Sequence, residues 1–476
     1  MDPILYWNEV AAEADRTTHT TLPSSELGVR GGPGGARANA IVHLAMHDAY
    51  FGINTGHYEP YLGDDLPEAP PGADSAAAVA SAAHAVLSAL YPTQKAFFDA
   101  RHAAAGLIAS KADVDGHDFG RKVASKIIAL RKNDPGFGDN GHSFSVAPGR
   151  HRQDPDNPGQ GFYGPFYGAR SACFAATTRH HLDAPPQPGS AEYEQAIKEV
   201  RAKGIAPHLM GTLPAELQSM RRTPTETGIG LWWGYEAANG IGTPTRLYNQ
   251  IIRKIAVAQG NDEAQNARLF ALVNAAIADS TILAWADKYE YDLWRPVLGI
   301  REHDASLGPA GVGGNELDAD SDPGWLPLGA QATNVTGGRN FTPSFPAYPS
   351  GHASEGGAAF QMVRHFYGQT QCGPDNLADN LEFVSDELDG ISTDVTGNVR
   401  TRVVRTFPGG CWQMMIEQGF SRVFLGVHWV FDAFAVDENG DVDLSRNIGG
   451  VKLGMDIADD LAANGLKASA AAGPVE

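Results

Sequence analysis

The sequence has little with which to cross-link itself, span a bilayer or hold a polyanion at its surface. Three cysteines in 476 residues, Cys173, Cys372 and Cys411, are too few and too scattered for a disulfide framework or a zinc site. They read as buried free thiols. No apolar run reaches the roughly eighteen residues of a membrane span, and the start Met1-Asp2-Pro3-Ile4-Leu5-Tyr6-Trp7 has neither the basic opening nor the apolar stretch of a secretion signal. A soluble chain with no membrane partner is expected, its compartment left open. Basic residues are in deficit: 36 Lys and Arg against 56 Asp and Glu give a net charge of −20. That balance argues against nucleic acid and anionic lipid, which demand basic patches. Strand-like alternation is scarce, and no short-period repeat is visible.

What is present is helical periodicity. Apolar residues at three- and four-residue spacing predict helices over 38–51, 76–90, 114–130, 246–258, 267–293, 353–367, 411–424 and 451–461. Between them, 131–190 and 303–350 are rich in Gly, Pro, Asn and Asp and too long for tight connections between bundled helices. The chain is long enough for one large or two medium domains. The fold class expected is all-α, with long irregular loops.

Three segments far apart in this pattern concentrate cations and imidazoles. The first ends the clearest helix: Leu269, Leu272, Val273, Ala276, Ile277, Ser280 and Ala284 form an apolar stripe that continues by threes and fours to Lys288, Tyr291 and Arg295. Charges on a buried face are paired or bind an anion, and the plainer reading is a salt bridge to Asp279 or Glu290. The second, Pro346-Ala347-Tyr348-Pro349-Ser350-Gly351-His352, has the form of an anion-binding helix start. Its prolines keep the entering chain extended, Ser350 is a good N-cap, and Gly351 allows close backbone approach. The third, Ser421-Arg422 followed by Gly426, His428 and Asp432, supplies another cation and an imidazole, with Asp432 one helical turn on to orient it. Three cations, two imidazoles and a helix start are what a phosphate-shaped anion needs when held out of water. The remaining loop histidines, His142, His151, His180 and His181, read as loop or surface residues without a role.

These segments, in this order, resemble those of the vanadium-dependent haloperoxidases and of their relatives, the bacterial acid phosphatases and type 2 phosphatidic acid phosphatases. Tyr6-Trp7-Asn8, the stretch from His43 to Phe51, Gly242-Thr243-Pro244, Phe345 to Ala353, Phe424 to Trp429 and Ile448 to Val451 narrow the resemblance to the fungal vanadium chloroperoxidases, over nearly the whole chain. The resemblance implies a single unit over 1–476 built of two four-helix bundles, roughly 35–190 and 240–465, the second carrying the site. It implies vanadate as cofactor and no haem, with Lys288, Arg295, Ser350, Gly351, His352 and Arg422 around its oxygens and His428 as the vanadium ligand. It makes His352 the acid/base and Lys288 the residue that polarises activated peroxide. Trp285 and Phe345 match aromatic residues lining the halide approach. Glu236 stands where the fungal relatives have an aspartate paired with the arginine that Arg422 matches, and Asp432 supports His428. The activity implied is oxidation of chloride or bromide by hydrogen peroxide to hypohalous acid, which halogenates a small organic acceptor, in a monomer or homodimer. The alternative on the same residues is an acid phosphatase with His428 as nucleophile.

Overall fold

The computed structural model describes residues 2–20, 28–107, 109–139, 141–304, 306–314 and 317–468; residues 1 and 469–476 of the expected unit lie outside them. The first half of the chain forms α1 (Pro3–Thr18), α2 (Gly31–Phe51), α3 (Ser75–Leu90), α4 (Lys95–Ala105), α5 (Lys111–Arg131), α6 (Tyr167–Arg170), α7 (Ala191–Lys203) and α8 (Pro224–Trp232). The second forms α9 (Pro244–Ala258), α10 (Glu263–Tyr291), α11 (Pro296–Arg301), α12 (Gly351–Phe366), α13 (Gly410–Phe424), α14 (Val430–Ala433) and α15 (Gly450–Asn464). Among the described residues strand is confined to two antiparallel pairs of two residues each, Phe383–Val384 with Val404–Arg405 and Ala435–Val436 with Val442–Asp443. The protein is all-α, as its periodicity predicts, and the long stretches 131–190 and 303–350 hold only the single-turn α6 among the described residues.

α10 organises the molecule. Asp262 caps it through a capping box with Gln265, and nearly every residue from Asn266 to Lys288 is buried. It packs on α2 on one side and on α12 and α15 on the other, while α3 and α5 complete the packing around α2 and α13 that around α12. Because neighbours surround it, the stripe seen in the sequence is one face of a helix that is apolar on all of them. By length and composition α10 could cross a membrane, but 94% of that window is buried inside the fold. Polar side chains pin the centre: Asn8, His43, Asn249 and Asn274 form a chain of hydrogen bonds of 2.8–3.0 Å linking α1, α2, α9 and α10. One hydrophobic cluster runs from Ile4 to Leu466, so the halves share a core.

The fold adds α1, α4, α6, α7, α8, α11 and α14, which none of the predicted ranges covers, and it differs from the sequence reading in further details. α10 stops at Tyr291, where Asp292 takes a left-handed conformation (φ 52°), so Arg295 is not on the helical stripe. It is the N-cap residue of α11, whose first residue is Pro296. Of the cysteines, Cys173 and Cys411 are buried thiols but Cys372 is exposed, on a Gly- and Gln-rich turn after α12 where no apolar partner covers it.

Candidate active site

The three segments converge where α10 ends, α12 begins and α13 turns into α14. Two links fix their register: the Ser350 backbone N–H donates to the Asp432 carbonyl at 2.8 Å, and the Trp429 indole N–H donates to the Trp294 carbonyl at 2.9 Å. Gly426, at φ 73°, makes the turn between Arg422 and His428 and lies so close to Gly204 that a Cβ would meet backbone at 2.6 Å.

The cations are buried and unevenly satisfied. Lys288 is fully buried, and its ammonium donates to the carbonyls of Pro346 (2.9 Å), Ala347 (3.1 Å) and Pro349. Neither Asp279 nor Glu290 pairs with it; Asp279 accepts the backbone N–H groups of Phe174, Ala175 and Ala176. Three carbonyls match three ammonium protons, so in this arrangement Lys288 contributes charge, with no proton left over. Burial, and then the charge of Arg295, push its pKa well below the usual lysine range. Arg295 donates through Nε to the Phe345 carbonyl (2.9 Å) and through Nη1 to the Val427 carbonyl (2.7 Å), while its Nη2 is buried without a partner. Burial lowers its pKa to about 10. Arg422, 1% exposed, donates through Nη1 to Glu236 and leaves Nε and Nη2 buried and unpartnered.

His428 is held by Asp432, whose Oδ2 accepts from Nδ1 at 2.7 Å and from the Trp429 N–H at 3.0 Å. That bond fixes the proton on Nδ1 and leaves the Nε2 lone pair as the coordinating atom; here Arg295 Nη1 donates to it at 2.9 Å. Burial, then Arg295 and Lys288, drive the imidazolium well below its usual range, so the ring is neutral. Burial raises Asp432 to about 7 against the pull of Lys288 and Arg295. His352 donates from Nε2 to the Gly234 carbonyl at 2.8 Å, with Glu236 Oε1 3.8 Å away. Burial and the Arg422 charge bring it to about 4, so it is a neutral base over most of the pH range. Ser350 caps α12 weakly, accepting from the Ala353 N–H at 3.4 Å.

Trp285 and Phe345 stand over the cations, their rings 4.8 Å apart and 5.5 and 5.1 Å from Lys288 Nζ, with Arg295 4.9 Å from the Phe345 ring. Gly351 abuts this wall, since a Cβ there would sit 3.0 Å from the Trp285 ring. A cavity of about 140 Å³ is lined by Trp285, Phe345, Gly351, His352, Arg422 and His428, with Glu236 at its edge. Sequence reading missed three neighbours. Tyr163 closes the aromatic wall, 6.4 Å from the Trp285 ring. Glu355 lines the cavity from α12; a lone carboxylate among the small and apolar residues of that helix was its signal. His151 is not a surface residue: it is 1% exposed, neither ring nitrogen has a partner, and the charges of Arg295 and Lys288 help to depress its pKa.

Buried donors left without acceptors are costly. Arg295 Nη2 and the two unpartnered nitrogens of Arg422 can therefore donate to an anion with several oxygens, next to an imidazole lone pair. That donor set fits an oxyanion of phosphate or vanadate shape.

Comparison with known proteins decides between the chemistries this cradle allows. Residues 1–163 match the model for the vanadium chloroperoxidase N-terminal domain, and 268–451 match that for the VCPO second helical-bundle domain. The vanadium chloroperoxidase of Curvularia inaequalis is 36% identical over an alignment of 575 positions that covers 98% of this chain and 90% of that protein. The chain belongs to the vanadium chloroperoxidase family. Its fold is also that of solved structures: a bacterial vanadium-dependent iodoperoxidase (TM-score 0.62, 20% identity, 97% of each chain) and the holo form of a bacterial vanadium-dependent chloroperoxidase (TM-score 0.60, 16% identity, 93% of each chain).

The Arg422–Glu236 pair gives a direct test of the cradle. Burial raises the Glu236 carboxyl, but Arg422, and after it His352, outweigh burial and bring it below the usual range. Its stabilising charge is therefore present above the ordinary carboxylate pKa and lost as pH falls through the depressed value. Glu236→Gln leaves a buried guanidinium uncompensated, for which a loss of about 3–5 kcal/mol is expected. Denaturant unfolding of metal-free protein measures it, and added inorganic phosphate should recover much of the loss by supplying the missing negative charge.

Proposed function

We propose that this protein oxidises chloride and bromide with hydrogen peroxide, using vanadate held by Lys288, Arg295, Ser350, Gly351, His352 and Arg422 and ligated by His428 Nε2. Hypohalous acid is the product, and it halogenates a small organic acceptor. The observation that carries the reading is the set of buried, unpartnered guanidinium donors beside a neutral imidazole whose other nitrogen is fixed by Asp432.

Bound vanadate supplies a Lewis acid that activates peroxide without changing oxidation state. Lys288, Arg295 and Arg422, all buried, bring three positive charges against the oxyanion, where each counts for more than at the surface. His352, neutral above about pH 4, accepts the peroxide proton; its Nδ1 is the nitrogen not committed to Gly234. Lys288 would polarise bound peroxide by its charge, and would have to release one of its three carbonyls to donate a hydrogen bond as well. Trp285 and Phe345 strip water from the incoming halide. Per turnover, one peroxide, one halide and one proton become hypohalous acid and water. The halves 35–190 and 240–465 belong to this proposal too, supported by the packing of α2, α3 and α5 in the first and of α10, α12, α13 and α15 in the second.

Metal-free protein given orthovanadate should gain peroxide-dependent chlorination and bromination together. No halide oxidation at any vanadate concentration overturns the reading. The aromatic wall makes a finer prediction: Phe345→His should lower kcat/KM for chloride more than for bromide, by roughly tenfold, because an imidazole brings water to the more strongly hydrated halide. Equal losses for both would remove Phe345 from halide selection.

A further inference from the structure

The cavity wall carries a carboxyl group that the reaction just described does not use. Glu355 lies three residues beyond His352 in α12, on the same side of the helix, and lines the cavity that His352, Arg422 and His428 line. It is 2% exposed. Among the described residues its carboxyl takes one hydrogen bond, from the Thr245 hydroxyl to Oε2 at 3.2 Å, and no cation pairs with it. Oε1 lies beside the first turn of α2, where a Cβ on Gly32 would sit 3.3 Å from it.

Every element around this carboxyl leaves its charge unmatched. α1 presents Asp15, a buried carboxylate committed to Thr243 and close to His19. α2 lines the cavity with Gly31, Gly32 and Pro33, none of them charged. The loop before α9 presents Glu236, paired with Arg422 of α13. α9 presents Thr245 and Tyr248, the phenol hydroxyl of which donates to the His352 carbonyl. Lys288 of α10 is saturated by carbonyls, and Asp459 of α15 binds Gln361 and His365, well along α12 from the site. Burial first, and after it Asp15 and Glu236, raise Glu355 to about 8 against the Thr245 bond, so it is a neutral acid at neutral pH.

We propose that Glu355 controls the entry of anions to this site: as a neutral carboxylic acid it leaves the cavity open to anions, and as a carboxylate it repels halide and oxyanion alike. This deepens the haloperoxidase reading and rests on it for the halide part only. A new negative charge within one cavity of the anion raises the cost of anion entry by like-charge repulsion, roughly tenfold in affinity at an effective dielectric near 20.

The test compares wild type with Glu355→Gln between pH 6 and pH 9, by two measurements. In calorimetry on metal-free protein with inorganic phosphate as probe, the wild-type Kd should rise between the two pH values by about tenfold more than the variant's. In vanadate-loaded enzyme, the rise in halide KM should show the same excess, while kcat at saturating halide differs much less between the two proteins. Thr245→Val provides a second handle: removing the hydroxyl bond destabilises the carboxylate, so the break in wild-type phosphate binding should move to higher pH. Parallel pH profiles in wild type and Glu355→Gln, or an unmoved break in Thr245→Val, overturn the proposal. Failure of the haloperoxidase reading looks different, since the wild type would then oxidise no halide while the phosphate measurement still reported on Glu355.

Discussion

His428→Ala loses its vanadium on gel filtration, and halide oxidation falls to background with it. On the proposed assignment the remaining contacts to the oxyanion would be charges and hydrogen bonds that exchange with water and phosphate, whereas His428 Nε2 would supply the coordinate bond. Four-ligand metal sites gain about 10–16 kcal/mol, so a single ligand is worth about 3 kcal/mol and its loss about two orders of magnitude in affinity. The truncation also removes one of the two acceptors of Arg295 Nη1, leaving the Val427 carbonyl, and leaves Asp432, already 0% exposed with Oδ1 unpartnered, without the imidazole it orients. Vanadium content by elemental analysis, read with chlorination rate, checks this. Stoichiometric vanadium with normal turnover would sink the ligand assignment.

His352→Ala has the opposite signature: vanadium retained, peroxide-dependent turnover lost. A positioned acid/base contributes about two to four orders of magnitude in rate, and His352 is neutral and able to take a proton at any pH above about 4. In the wild type, kcat/KM for peroxide should therefore fall as pH drops towards that value, because the imidazole fills with protons, and the alanine variant should lack this limb. Neutral His352 brings no charge to the oxyanion, and the charges of Lys288, Arg295 and Arg422 stay in place without it, so most of the binding should be kept. Equal vanadium loss in both histidine variants would mean that the two roles are wrongly divided.

How much of this was legible in the sequence depended on whether a signal was local. The start of α12 was: Ser350 before Gly351 is a capping pattern that holds in three dimensions, whereas the capping box of Asp262 and Gln265, which starts α10 four residues before the apolar periodicity does, was read past. Legible too was the bond from His428 to Asp432, which a four-residue spacing brings together on one turn. Arg295 reached the site by a route that spacing alone misreads. The left-handed Asp292 breaks the helix before it, and a residue capable of that conformation looks like any other aspartate in a helical stripe. Lys288 shows the limit for energetics. Its burial was inferable, but its saturation by three carbonyls comes from the fold of 346–349, which no helical pattern encodes. Glu355 and the buried His151 were read past for the same reason: their significance lies in what packs around them, and each arrives from elements more than a hundred residues apart in sequence, as with Thr245 against Glu355.

The central claim is that one cradle of buried cations around His428 binds phosphate and vanadate alternately, with the bound anion deciding the chemistry. A single titration tests it. Metal-free protein is incubated with an activated phosphate ester and increasing orthovanadate, and ester hydrolysis and peroxide-dependent chlorination are followed in the same samples. Metal-free protein should hydrolyse the ester slowly, because phosphate fits the donors of Arg295 and Arg422 with His428 in line for attack. Hydrolysis should then vanish and chlorination appear along one curve that saturates at one vanadate per chain. Loss of hydrolysis and gain of chlorination at different stoichiometries would contradict the account, as would fast hydrolysis in a protein that gains no halide oxidation with vanadate.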